Sequence, residues 1–309
     1  MDLASYITKS FNLLIKRQKG FEREAISNYV SALKDIRGEV SVFYKKYAKN
    51  GKLSITELEK NNRYKAMETK IFSAVDEAIK DNLSVIKHSL GLQYKEGFYR
   101  TAWAFDNQTK LRLDWRFPSS DSINKMFSLN NLNNMYYIEA MNNYPIDVKR
   151  KVRQAIMNNL TIGKSRRAME DDIKKALNWG AYKSNLIIQT EGTAAINAGI
   201  NAVFLDAERM GIKGKFIWNA VNDLRTRPDH RDMHGKVKKD DGYYDGPGGE
   251  RAPYPGWVGL SAEQRCNCRC LEVYAIDNTP QSFETRKQEA KLRYTAYSTW
   301  LKERGYSGG

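Results

Sequence analysis

The chain has 309 residues, 41% hydrophobic and 11% aromatic, which excludes a disordered polypeptide and leaves room for one large domain or two modest ones. Lys and Arg number 51 against 36 Asp and Glu, a net charge of +15 that favours polyanionic partners, nucleic acid ahead of anionic lipid. No stretch of about 20 apolar residues exists to span a membrane. Leu3, Ile7, Phe11, Leu14 and Ile15 sit at helical spacing among Lys9, Lys16, Arg17 and Lys19, and so do not form a secretory apolar block. The expectation is a cytoplasmically made protein with no membrane partner and with reduced thiols.

The first 95 residues read as a helical hairpin arm. Tyr29, Val30, Leu33, Ile36, Val40, Phe43 and Tyr44 mark one face of a long helix, and Asn50-Gly51 breaks it. Ser54 and Glu57 then have the spacing of a capping box. Met67, Ile71, Val75, Ile79, Leu83 and Ile86 mark a second helix, expected to end near Gly91, with His88 as a solvated or core-edge histidine. Residues 96–145 form an aromatic-rich connection. Phe98–Phe105 and Leu111–Trp115 suggest a short hairpin or irregular segment whose rings are buried, and Asn130–Asn134 a loop or helix start.

From Ile146, Val148, Val152, Ile156 and Leu160 predict a helix, and Met169, Ile173 and Leu177 another after a turn at Gly163, with Ser165 as its N-cap. Lys149, Arg150, Lys151, Arg153, Arg166 and Arg167 cluster on these two helices as a candidate phosphate-facing patch. Helix, glycine turn and helix is also the outline of a DNA-reading helix-turn-helix, although two packed helices with solvated basic faces explain it as well. Residues 180–210 predict a helix rich in small residues. Gly192 and Gly199 would each weaken it by about 1 kcal/mol relative to alanine, which implies a packing reason for them. Gly211 ends it. Residues 215–221 and 271–276 then read as two strands that pair antiparallel around a long Gly- and Pro-rich loop, and 277–309 as a charged terminal helix and tail. The fold class is mainly α, with a small α+β module near the C-terminus.

The chemistry concentrates in that loop. All three cysteines and two of the three histidines fall between Asp223 and Cys270. His230 and His234 share a face if their segment is helical, and Cys268 and Cys270 project to one side of an extended segment. The four form a His2Cys2 set of the kind that suits tetrahedral zinc; a metal-free knot held by hydrogen bonds is the alternative. Arg231 stands where a zinc protease helix carries its glutamate base, so that chemistry is not expected. A Cys–His nucleophile remains conceivable, as does a metal-dependent nuclease using Asp223, Asp229 and His230. A closed four-ligand site would leave no position for an attacking water.

The pattern Trp218, Asp223-x-Arg225-Thr226-Arg227-Pro228-x-His230-x3-His234-Gly235, then Cys268-Arg269-Cys270, resembles the C-terminal domain of the phage Mu F-like head morphogenesis proteins. The resemblance covers roughly residues 145–276 and singles out Asp223, Arg225, Arg227, Gly235 and Arg269 as motif positions. The preceding Gln189-Thr190-Glu191 departs from the family's usual Arg-Thr-Glu at its first residue. What the resemblance implies is a minor capsid protein without enzymatic activity, present in procapsid and virion and bound to the portal protein. Scaffold or major capsid protein would be further partners. The protein would assemble in the host cytoplasm, contact packaged double-stranded DNA without sequence choice, and serve its handling or ejection. A metal-dependent DNA-processing nuclease built on the histidines and cysteines is the alternative.

Overall fold

The structure is a computed structural model that describes residues 2–127, 135–278 and 296–306. It is mainly helical. The helices are α1 (Leu3–Tyr47), α2 (Ile55–Glu59), α3 (Arg63–Thr109), α4 (Ser120–Met126), α5 (Met135–Ile162) and α6 (Arg166–Arg209), with the shorter α7 (Pro228–Arg231), α8 (Ala262–Arg265) and α9 (Tyr297–Glu303) after them. Two small antiparallel sheets complete it. The first pairs β1 (Lys213–Asn219) with β4 (Leu271–Asn278), and the second pairs β2 (Tyr244–Asp245) with β3 (Arg251–Ala252). The chain forms two compact units, one of Met1–Gln18, Ser89–Met135 and Gln189–Gly309, the other of Lys19–His88 and Tyr136–Ile188.

The second of these units is helical. Within it α1 and α3 run antiparallel, as the pairs Asn28–Asn82 and Glu39–Lys70 show. The turn between them follows the sequence: Asn50 and Gly51 take φ of 48° and 70°, and the Ser54 hydroxyl accepts from the Glu57 amide. The Glu57 carboxylate serves Lys49 and Lys60. Val148, Val152, Ile156 and Leu160 of α5 and Met169, Ile173 and Leu177 of α6 are buried, as their spacing predicts. Pro145 lies inside α5, so this helix begins ten residues before the proline instead of after it. A buried polar chain crosses the unit: Asn28 donates to Asn82, Asn82 to the Tyr144 hydroxyl, and Tyr144 meets Tyr29 at 2.5 Å.

The other unit carries the sheets. Here α3 and α6 cross backbone to backbone. A Cβ on Gly199 would lie 2.3 Å from the Tyr94 carbonyl, and one on Gly97 2.6 Å from that of Ile196, so both positions require glycine for the approach. Gly192 faces the side-chain amides of Gln18 and Gln93, which a Cβ there would have to displace. The expected packing reason for the α6 glycines is therefore present. Phe105, Phe204, Phe216 and Tyr274 pack ring against ring, tilted or edge to face, where the helices meet the β1–β4 sheet, whose register runs from Lys213 opposite Asn278 to Asn219 opposite Leu271.

Three further expectations change. The second helix does not end near Gly91; α3 continues to Thr109 and takes Phe98–Phe105 with it. That segment lacks an amphipathic stripe because Phe98, Tyr99, Ala102, Trp103, Ala104 and Phe105 are all buried, and a helix buried all round shows no 3.6-residue pattern. Leu111–Trp115 is irregular and pairs with no strand among the described residues. The buried Asp106 carboxylate instead collects the Leu113 amide, the Trp115 and Trp300 indoles and Arg304. The helices predicted on either side of residue 178 are one continuous α6, which Gly211 (φ 85°) terminates. The expected Asn130–Asn134 loop and most of the expected C-terminal helix lie outside the described residues, whereas the end of that helix is α9. Among the described residues no helix is long and apolar enough to cross a membrane.

Candidate functional site

Pairing of β1 with β4 brings the two ends of the Asp223–Cys270 segment together, as the strand spacing predicts. Pro228 starts α7, a single turn whose last residue is Arg231. Tight turns follow: the Met233 amide bonds the His230 carbonyl, and that of His234 bonds Arg231. Gly235, at φ 82°, then lets the chain reverse, so that its amide and the Lys236 carbonyl engage Trp218 on β1.

This local geometry separates the two histidines. The i, i+4 relation needs another helical turn, which the reversal at Gly235 prevents; Met233 is buried in its place and His234 is exposed. His230 is buried at 2% exposure, with Nδ1 3.6 Å from Cys268 Sγ and 3.5 Å from Cys270 Sγ. Three of the four expected ligands therefore converge, with their donor atoms within 4.8 Å of one another. Cys266 stands outside the group, half-buried, its carbonyl accepting from Arg227 Nη1.

The far side of the imidazole is held as firmly. His230 Nε2 lies 2.8 Å from Arg227 Nη2 and 3.1 Å from the side-chain carbonyl of Gln264, and the same Arg227 nitrogen donates to the Gln264 backbone carbonyl. Arginine cannot accept, so the Arg227 contact favours the tautomer with the proton on Nδ1, facing the sulfurs. Hydrogen bonding from Cys270 and proximity to His230 bring Cys268 well below the ordinary thiol range, against the effect of its burial. Cys270 moves the opposite way, because Cys268 and burial both oppose a second thiolate.

The donor separations match a metal. Zinc bonds of about 2.3 Å to sulfur and 2.0–2.1 Å to nitrogen, at tetrahedral angles, put S and N about 3.5–3.6 Å apart. The group therefore fits zinc without rearrangement of the imidazole relative to either thiol.

The remaining motif residues form the frame. Arg269, between the two cysteines, faces away from them and grips Asp223 with both terminal nitrogens at 2.6 Å. Asp223 also accepts from the Arg225 amide and the Thr226 hydroxyl, and the Arg269 guanidinium holds its carboxyl far below the usual range. Arg225 itself is largely exposed. Asp229 accepts from the His230 amide.

Residues outside the motif complete the site. On α6, the Thr190 hydroxyl accepts from the Asn267 amide and buried Glu191 pairs with buried Arg265 at 2.6 Å, so the Thr-Glu of the triplet clamps the cysteine loop to the helix. Two turns on, Asn197 brackets β4 through the Cys270 carbonyl and the Glu272 amide. Glu272, fully buried, accepts from Asn201, Tyr244 and Lys238, and burial pushes its carboxyl up. Nothing in the spacing of these residues distinguishes them from solvated polar positions, apart from the i, i+4 step of Asn197 and Asn201.

The basic patch lies in the helical unit, where most of it is already paired. Lys149 meets Asp76, Arg150 meets Asp147, Arg153 meets Glu68 and Arg166 meets Glu170, while Lys151 lies over the Trp179 ring. Arg167 is exposed.

Comparison with known proteins bears on this frame. Residues 150–273 match the family described as phage Mu protein F like protein. Over these residues the chain is similar to the Mu F-like module. Over 297 residues, 95% of this chain and 94% of the relative, the chain is 25% identical to minor head protein GP7 of Bacillus phage SPP1. It is also 23% identical over 224 residues to NAD(+)--arginine ADP-ribosyltransferase EFV of Enterococcus faecalis, covering 71% of this chain but 45% of that protein. No solved structure matches. The Mu F-like module thus contains the whole clasp, from the Asp223–Arg269 grip to the His230, Cys268 and Cys270 group, together with the α6 residues that anchor it.

Proposed function

We propose that the chain is a minor head protein of a tailed phage, acting in head morphogenesis at the portal vertex. The observation that carries this is the relation to GP7, which extends over nearly the full length of both chains and so includes the helices before the Mu F-like module. The portal protein is the partner, with scaffold or major capsid protein beside it. The protein assembles into the procapsid in the host cytoplasm and stays inside the virion head near the portal.

Handling of the packaged DNA, up to ejection, is the second half of the proposal. Its support is the net charge of +15 and the exposed edge of the basic patch at Arg150, Arg153, Arg166 and Arg167, with half-buried Lys149 beside them. Exposed ion pairs contribute only about 0–1 kcal/mol each, so phosphate oxygens can replace their carboxylates. Such contacts position the duplex without reading its sequence. The site supplies the nuclease alternative with no carboxylate base. Asp223 and Asp229 are engaged in local hydrogen bonds, and no Asp or Glu is among the residues lining the pocket beside His230 to act as a base.

Co-expression with the portal protein of the same phage tests the assembly role: the two should co-purify through gel filtration, and portal protein that elutes without the chain contradicts it. Incubation with plasmid and Mg²⁺, Mn²⁺ or Zn²⁺ should leave the DNA intact. Cleavage that His230→Ala abolishes would establish the nuclease instead.

A further inference from the structure

Beside the His230, Cys268 and Cys270 group is a small pocket of about 20 Å³, lined among others by Arg225, Arg227 and Arg269. A cavity of that size holds about one water molecule. We infer that His230, Cys268 and Cys270 are the three protein ligands of a zinc ion, and that its fourth coordination position opens on this pocket and holds a water exchangeable for a small anion.

The ligand set follows from placement. Both sulfurs stand at tetrahedral-edge distance from Nδ1, all three side chains are buried, and the exposed His234 and the half-buried Cys266 are absent from the group. The second face of the imidazole has the outer partner that ligating histidines use: with the metal on Nδ1, the Nε2 proton is donated to the Gln264 side-chain carbonyl. Arg227 keeps the Cys266 and Gln264 backbone carbonyls as acceptors through this change of tautomer.

The fourth ligand follows from the pocket. No carboxylate lines it, two thiolates neutralise the zinc charge and Asp223 offsets Arg269, so the local field is set chiefly by Arg227 with the exposed Arg225. Arg227 also keeps a buried Nε–H without a partner. A donor of this kind, beside an open metal position, selects a small anion such as phosphate or azide over a cation or a neutral ligand. Three protein ligands and a solvent position are the arrangement of an open zinc site, in contrast to the closed His2Cys2 set that spacing alone predicts.

The test uses the full chain, purified without a histidine tag from zinc-supplemented cells. Elemental analysis should find about one zinc per chain, retained in His234→Ala and Cys266→Ser and lost in Cys270→Ser; a wild-type content below roughly 0.1 overturns the inference. Cobalt substitution of the wild-type chain should give tetrahedral d–d bands and thiolate-to-cobalt charge transfer, so the result does not depend on whether Cys270→Ser folds. Azide or inorganic phosphate should shift the d–d bands. Bands indifferent to both anions overturn the open position, and loss of the cobalt spectrum in His234→Ala overturns the three-ligand set.

Discussion

At the scale of single residues, the site depends on a buried ion pair between α6 and the cysteine loop. Glu191 and Arg265 are 7% and 5% exposed and bonded at 2.6 Å, joining α6 to the loop that carries the cysteines. Removing one member leaves the other charged and buried. Glu191→Ala should therefore lower stability by roughly 3–5 kcal/mol in urea unfolding, and the double change to Glu191→Leu with Arg265→Leu should recover most of the loss. An additive loss in the double variant would show that the pair is not the anchor. Glu57 makes a different prediction. Lys49 and Lys60 lower its carboxyl from the ordinary 4.5 to about 2. A depressed carboxylate stabilises the fold above its unfolded value and loses that contribution as pH falls through the folded one. Thermal midpoints measured between about pH 5 and 2 should decline less steeply in Glu57→Gln than in the parent chain.

At the scale of elements, the decisive feature is the close crossing of α3 and α6. Gly199→Ala improves helix propensity by about 1 kcal/mol, yet its Cβ would meet backbone atoms of Tyr94 and Phe98 at 2.3 and 2.8 Å. Net destabilisation of about 1–3 kcal/mol is expected. Gly20→Ala, in α1 with nothing within 4 Å of the new carbon, should instead stabilise by about 0.5–1 kcal/mol. Equal effects of the two substitutions would refute the crossing. These glycines could be recognised before the structure because Gly inside a strong helix requires an explanation, and the same holds for Asn50-Gly51, Ser54 and the paired strands. Local signals of that kind are legible. The Phe98–Phe105 helix was not, since burial on all sides erases the periodicity that identifies a helix. The candidate site was half legible. Cys268 and Cys270 face one way because extended backbone alternates, but the shared face of His230 and His234 presupposed a helix longer than the one turn that α7 makes. Gln264 and Glu272 gave no sign, since a buried polar network is assembled by tertiary contacts and not by spacing, and Glu191 stood out only through the triplet of the family resemblance.

At the scale of the whole molecule, charge and ancestry point the same way. An excess of 15 positive charges should give duplex binding that weakens steeply with salt: a chain neutralising about four phosphates has a slope near −4 in log K against log salt, from roughly −0.9 per contact. Charge reversal at Lys149, Arg150 and Arg153 should flatten that slope, read by fluorescence anisotropy with unrelated duplexes that bind alike. Affinity independent of salt would contradict the phosphate-contact reading. The central claim is the minor head role, inferred from a relation to GP7 that covers 95% of this chain. The most direct test is quantitative mass spectrometry of purified procapsids and virions of the phage that encodes the chain. The account predicts the intact chain in the particles at a small fraction of the major capsid protein; particles that assemble and package DNA without any copy of it would contradict the account.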